Sequence, residues 1–348
     1  MPHALEVRTT ILATAALALA ACTSAPPPPS ASASPAATAA PTPMTVEQGV
    51  EWYKTCWGLF NTKAWDTFQN CYTKDATSDS VDSGQAVAKG RAAIIEAAKQ
   101  TMAPNPDVRG DLQLIVANGR NIASVALWKG TNTAPMPGPD GKPIPPTGKA
   151  FSFLMAHTLE WDAGMTAAEA DAAYVEVGTM LAQLGLSKAP ARKPAEAGAS
   201  APTVVIAANN EAETANVAAV NAELAAFNKH DIAGVAAALA DNYMLHEIAL
   251  PADTDKKKSL ASTRELFGAF ADVKLTTSRA YGAGDYVVVT GTFEGTNTGP
   301  LPAMGIKQKT GKHVVSHFVE IFRLEKGKIA EDWLFYNGAA FAGQLGLM

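Results

Sequence analysis

Cysteine is scarce, with three residues in a chain of 348. Three cannot frame a disulfide scaffold, and no pair stands in the CxxC spacing used for zinc sites or thiol exchange. Charged residues make up only 18%, with 28 Lys+Arg against 33 Asp+Glu, so the basic stripe that tracks a phosphate backbone is missing. A net charge of −5 and a pI near 5.7 exclude nucleic acid as the expected partner. Long apolar runs are absent but for one at the N-terminus. No glycine-rich phosphate loop, dinucleotide fingerprint or GxSxG elbow occurs, so nucleotide binding and serine hydrolysis have no carrier. What is present, 47% hydrophobic residues over roughly two domain lengths, is core material for an acidic, soluble two-domain protein.

Residues 1–21 carry Arg8 in a polar start and then the apolar run from Ile11 to Ala21. That run falls short of the roughly 20 residues a membrane-spanning helix needs and has the layout of a secretory signal. Leu19-Ala20-Ala21-Cys22 resembles the bacterial lipobox, which implies acylation of the Cys22 thiol and cleavage before it. An ordinary cut after Ala21 that leaves Cys22 unmodified is the alternative. Residues 23–43 hold only Thr, Ser, Ala and Pro, a composition with nothing to bury that Pro stiffens into a tether. The expected location is the bacterial cell envelope, on a lipid anchor in the membrane. Thr23, where Asp would signal inner-membrane retention, favours the outer membrane.

The remainder is a duplication. Gly130-Thr131-Asn132-Thr133-Ala134-Pro135-Met136-Pro137 recurs as Gly295-Thr296-Asn297-Thr298-Gly299-Pro300-Leu301-Pro302, and Thr147-Gly148-Lys149 recurs as Thr310-Gly311-Lys312. Both copies close on Gln-Leu-Gly-Leu, at 183–186 and 344–347. One module therefore runs over 44–186 and the other over 212–348, with an Ala-, Pro- and Lys-rich linker at 187–211 in which Val204-Val205-Ile206 offers a short strand. In the second module, Val217, Val220, Leu224 and Phe227 form one apolar helix face, Asp231 caps a second helix, and 259–270 suggests a third. Strand signals follow at 273–281, 286–294, 313–324 and 329–336. Helices first and an antiparallel sheet after is an α+β layout. In the first module, the Ala-rich stretch from Met165 to Leu184 reads as a helix in place of the last strand, which makes that module a structural partner.

The second copy resembles a SnoaL-like domain of the nuclear transport factor two-like superfamily, through Gly291-Thr292-Phe293-Glu294-Gly295-Thr296-Asn297-Thr298-Gly299, Thr310-Gly311-Lys312 and the run from Ile321 to Trp333. The first copy resembles it through the repeated landmarks. The resemblance implies two cone-shaped modules, each with N-terminal helices packed on a curved, mainly antiparallel sheet. It also implies relatives that close polyketide rings by aldol chemistry with an acidic general base after the last-strand tryptophan. Here Leu334 follows Trp333, and Asn297 stands where the family often has His.

Strand alternation puts Asp332, Leu334 and Tyr336 on one face, and by resemblance that face lines the cone. Asp332 is then a candidate displaced base, with His317 and Tyr336 as proton donors. His246, Asn297, Leu334 and Trp333 are candidate ligand contacts. Against each stands a plain alternative: a hydrogen-bonded strand Asp, or an exposed strand His. His246, His313 and His317 lack metal-site spacing, so neither a metal nor another cofactor is expected. Cys56 and Cys71 are either two buried thiols or a disulfide, if their Cα atoms come within about 7 Å. Lys256-Lys257-Lys258 reads as a solvated loop patch. The expected function is capture of a small, largely apolar molecule without catalysis. A proton-transfer enzyme of the cyclase or isomerase kind, and an interaction module whose two copies pair within the chain, are the alternatives.

Overall fold

A computed structural model describes residues 43–138, 142–196 and 201–347. The expected signal, the expected lipidation at Cys22 and the expected tether, up to residue 42, lie outside the described residues. The first module begins where Thr45 accepts the Gln48 N–H and the Gln48 side chain accepts the Thr45 N–H. Such a reciprocal cap satisfies amides that the first helical turn leaves free. The elements are then α1 (Val46–Asn61), α2 (Trp65–Phe68), β1 (Tyr72–Ser80), β2 (Ala88–Lys89), α3 (Arg91–Met102), β3 (Arg109–Asn118), β4 (Asn121–Thr131), β5 (Ala150–Trp161), β6 (Ala168–Tyr174) and α4 (Val177–Gln183). The linker contributes β7 (Thr203–Ile206).

The second module repeats this order. Asn210 and Glu213 form the reciprocal cap of α5 (Glu211–Asn228), and Asp231 caps α6 (Ile232–Ala238). There follow β8 (Leu239–Glu247), β9 (Thr254–Asp255), α7 (Lys256–Ala269), β10 (Lys274–Ala283), β11 (Tyr286–Thr296), β12 (His313–Glu325), β13 (Lys328–Phe335) and α8 (Gly338–Gln344). The sheets run β2-β1-β6-β5-β4-β3-β7 and β9-β8-β13-β12-β11-β10, so the six core strands correspond one to one. Pairing is antiparallel except for β1 with β6, β8 with β13 and the added β7 with β3. Register shifts between Leu112 and Leu114 and between Thr277 and Arg279 mark corresponding places in the two sheets. Extra residues of this kind bend a strand, and they curl each sheet around its helices.

Two expectations are corrected. Residues 168–174 are strand β6, inserted between β1 and β5, and helix is confined to α4. Alanine favours helix by propensity, but two strands with unpaired edges on either side of this segment override a preference worth tenths of a kcal/mol per residue. Lys256-Lys257-Lys258 is not a loop but the first turn of α7, started by the Asp255 carboxylate accepting the Lys258 N–H.

Each cone has its own apolar core. That of the first module is built on Tyr53, Trp57, Phe151 and Phe153, and that of the second on Val220, Phe270, Phe318 and Phe322. A third cluster takes residues from both sheets, including Leu114, Val116 and Val125 from the first and Val288, Val319, Ile321 and Phe335 from the second. Polar contacts frame it. Arg279 bonds Glu160 at 2.5 Å and Asn121 at 2.7 Å, Asn118 donates to the Gly282 carbonyl at 2.9 Å, and Asp82 meets the His317 ring at 2.8 Å.

Candidate functional site

In β13 the pleat sends Asp332 and Leu334 into the cone of the second module, with Tyr336 just past the strand's end. The neighbouring β12 pairs Glu320 with Leu334 and Phe322 with Asp332, which places Glu320 on the same inner face. From β8 come Tyr243 and Glu247, and from α5 comes Glu223, one position ahead of Leu224 on the helix's apolar side. These groups sit in the wall of a cavity of about 210 Å³ lined mainly by Leu, Val, Ile, Phe and Met, with Ser259, Ser262, Thr263 and Ser316 among them. The Tyr243 hydroxyl donates to Asp332 Oδ2 at 3.0 Å, and the Tyr336 hydroxyl to Glu247 Oε1 at 2.6 Å. Asp332 Oδ1 and Ser316 Oγ are buried and receive no such donor.

Four carboxyls in one apolar cone cannot all ionise. Loss of water pushes Asp332 up to about 7, against the pull of the neighbouring Glu320 carboxyl and of the Tyr243 hydroxyl. Burial and then the Asp332 charge push Glu320 well above the carboxylate range, and the same two causes bring Glu223 to about 8. Burial also raises Glu247. Burial and the neighbouring Asp332 charge together favour the protonated form of Glu320.

The first module has a cavity of its own, of about 140 Å³. Its chemistry differs. Tyr53 Oη lies 2.7 Å from Ser124 Oγ and 3.0 Å from His157 Nδ1. His157 Nε2 is 3.5 Å from Asp171 Oδ2, which accepts the Tyr72 hydroxyl at 2.5 Å. His157 pairs with Ala173 in β5–β6 as Glu320 pairs with Leu334 in β12–β13, so an imidazole takes the place of a carboxyl. Trp52, Trp57, Phe60 and Trp128 surround this chain of polar groups. Cys56 and Cys71, joined by a disulfide with Cα atoms 6.0 Å apart, close one side.

The sequence profile of the SnoaL-like polyketide cyclases matches residues 47–183 and again 217–345. The chain belongs to this family. Solved structures similar to part of the chain include AclR, a putative hydroxylase from Streptomyces galilaeus (22% identity, 39% of this chain and 98% of that one, TM-score 0.36). IdmH, a putative polyketide cyclase from Streptomyces antibioticus, matches at 19% identity over 38% of this chain and 98% of that one, TM-score 0.33. An LEH-like epoxide hydrolase of M. tuberculosis matches at 18% identity over 38% and 91%, TM-score 0.32. No curated protein matches the chain.

Within this SnoaL-like frame, Asp332, Tyr336 and Leu334 line the second cavity, whereas four other candidates from the sequence do not. His317 stands on β12 in the opposite pleat phase, exposed, with its ring and amide on Asp82. It is no proton donor to the cone. His246 stacks on Trp333 outside the cone, with ring centroids 5.1 Å apart, and meets Asp253 at 2.9 Å. Trp333 itself belongs to the cluster shared by both sheets. Asn297 is fully buried, but it locks a loop: it donates to the Ala269 and Gly299 carbonyls and accepts the Thr310 N–H at 2.7 Å. Asn132 makes the same three bonds in the first module, which explains the repeated Gly-Thr-Asn-Thr text.

Glu223, Glu320 and Tyr243 were not singled out by sequence. A signal existed for Glu223: it lies at i+3 from Val220 and i−4 from Phe227, inside an apolar stripe where a charged residue has no solvent. Glu320 shares the pleat phase of Phe318 and Phe322, and Tyr243 that of Leu245. The first module, expected as a structural partner, contains a polar network buried in an aromatic cavity.

Proposed function

We propose that the chain is a bacterial cell-envelope lipoprotein that captures a small, largely apolar molecule in the cone of its second SnoaL-like module. The observation that carries this reading is the cavity of about 210 Å³, walled mainly by apolar side chains, with its carboxyls on α5, β8, β12 and β13. Concave, mostly apolar sites with few convergent polar groups suit small-molecule capture. Capture without catalysis is supported by Leu334, which fills the place where family resemblance puts the general base, and by the engagement of Asp332 and Glu247 with protein phenols. The anchor rests on the lipobox text at Cys22 and the Thr/Ser/Ala/Pro tether behind it.

The test fills the cone. A fluorescent apolar probe such as 1-naphthol is expected to bind the full chain saturably, and Leu334→Trp is expected to abolish that binding. Unchanged binding in the variant would place the probe elsewhere and sink the reading. For the anchor, Cys22→Ser is expected to end acyl labelling and release the chain from membranes; a variant that still sediments with membranes would refute lipidation.

A second reading, proton transfer on the bound molecule, is favoured by the placement of Asp332 and Glu320 in the wall of one apolar cone, where burial raises both carboxyls. Asp332→Asn that loses turnover and retains binding would establish it.

A further inference from the structure

Five of the six tryptophans, Trp52, Trp57, Trp65, Trp128 and Trp161, belong to the first module, and three of them line its cavity. Among the described residues no tryptophan lines the second cavity. The fold does not demand this difference. Asn61 bonds the Gly110 carbonyl as Asn228 bonds that of Leu275, which aligns α1 with α5 at an offset of 167 (228 minus 61). At that offset α1 carries Trp52, Tyr53 and Trp57 where α5 has Ala219, Val220 and Leu224. The rings stand in different planes: Trp57 crosses Tyr53 at 77° and Phe60 at 67°, so successive rings make adjoining walls rather than a stack. Trp128 from β4 and Tyr72 at the start of β1 continue the enclosure.

One carboxylate belongs to the same wall. Asp171 lines the cavity with its side chain 3% exposed and accepts the Tyr72 hydroxyl, and among the described residues the wall holds no Lys or Arg. The other buried polar groups are engaged with one another, Tyr53 with Ser124 and His157, and His157 in turn 3.5 Å from Asp171. The remaining polar side chains of the wall are the hydroxyls of Ser78, Ser80 and Thr101. A primary ammonium entering this box would have to replace its water with an acceptor for each of its three N–H groups. A quaternary ammonium has no N–H. Its methyl groups pack as apolar surface while its charge is drawn to ring faces, to those of Trp most of all.

We propose that the first cavity binds a small quaternary ammonium compound, its cation enclosed by Trp52, Tyr53, Trp57 and Trp128 and balanced by the Asp171 carboxylate of the same wall. The site is separate from the second cone and does not depend on what that cone captures. Charge decides the selectivity. A neutral molecule of the same shape gains from burial alone, whereas the cation gains also from the rings and from a carboxylate taken out of water.

Calorimetric titration of the full chain with choline and with its neutral isostere 3,3-dimethylbutan-1-ol separates charge from shape. At about pH 8, above the range where an imidazole carries charge, choline is expected to bind roughly tenfold or more tightly than the isostere. Asp171→Asn keeps an acceptor for the Tyr72 hydroxyl and removes the charge. Trp57→Phe keeps a ring and weakens its attraction for a cation. Each is expected to lower choline affinity by roughly threefold or more and to leave the isostere within about twofold, with denaturant midpoints reporting that both variants are folded. In Leu334→Trp, which fills the second cone, choline binding is expected to be unchanged. Equal affinities for the two compounds, no choline binding, or a preference that survives both variants would overturn the assignment. So would loss of choline binding in Leu334→Trp, which would put the cation in the second cone.

Discussion

Asp332 and Glu320 tie the protonation of the site to the stability of the fold. A carboxyl whose pKa is raised on folding holds its proton more tightly in the native state, so between the two pKa values the native state binds more protons than the unfolded chain. Stability therefore falls as pH rises, over the window from about 4, where free carboxyls titrate, to the folded values of about 7 for Asp332 and about 8 for Glu223. Carboxylates held low by hydrogen bonds act in the opposite sense. At Asp162 burial is outweighed by the Thr166 and Ala167 N–H bonds together, and at Asp272 the Thr296 N–H dominates; both withdraw stability only below the ordinary carboxylate range. Denaturant unfolding is thus expected to show maximal stability near about pH 5, and Glu223→Gln is expected to add on the order of 2 kcal/mol at about pH 8 with little change at about pH 5. A variant that gains equally at both values would show that the Glu223 proton is not what matters. Asp332 was legible in the sequence because alternation from Leu334 fixes its face. Glu320 was not, because which face of β12 lines the cone is decided by the other strands, and His317 on the wrong face looked the better acid.

The strands and loops divide along the same line between local and tertiary causes. Helices α5, α6 and α7 and the four strands from β10 to β13 follow from apolar periodicity and caps, which act within a few residues. Strand β6 does not: its alanines carry a weak helical preference, and only the gap between β1 and β5 makes it a strand. The twin loops held by Asn132 and Asn297 are local and repeat as text. Asn297→Ala strips three hydrogen bonds from a buried loop and is expected to cost about 1–3 kcal/mol while leaving ligand affinity unchanged. Weakened binding with intact stability would instead assign Asn297 to the site. The Cys56–Cys71 bridge closes a short loop, a sequence separation of 15, between α1 and the start of β1. Reduction or Cys56→Ala with Cys71→Ala is expected to cost about 3 kcal/mol in chain-entropy terms. The effect is read as a lower denaturant midpoint, and an unmoved midpoint would contradict it.

At the scale of the molecule, two cones built on one strand order differ in what they bury: an acid pair in the second, a Tyr–His–Asp chain among tryptophans in the first. The duplication is plain in the sequence, but the different chemistries are not, because they depend on which side chains meet across strands far apart in sequence. Val288, Val319, Ile321 and Phe335 of the second sheet lie in a cluster with Leu114, Val116 and Val125 of the first. Residues 212–348 expressed alone would expose that face, and the expected outcome is self-association or loss of stability, read by light scattering and thermal melting. A stable monomer would mean that the second module does not need the first. The central claim, that the second cone is filled by a small molecule, is tested most directly by native mass spectrometry of the full chain purified gently from a bacterial host. A reproducible adduct of one small molecule per chain, lost in Leu334→Trp, is the result expected. A bare chain that also takes up no member of a panel of apolar amines, alcohols and ketones would contradict it.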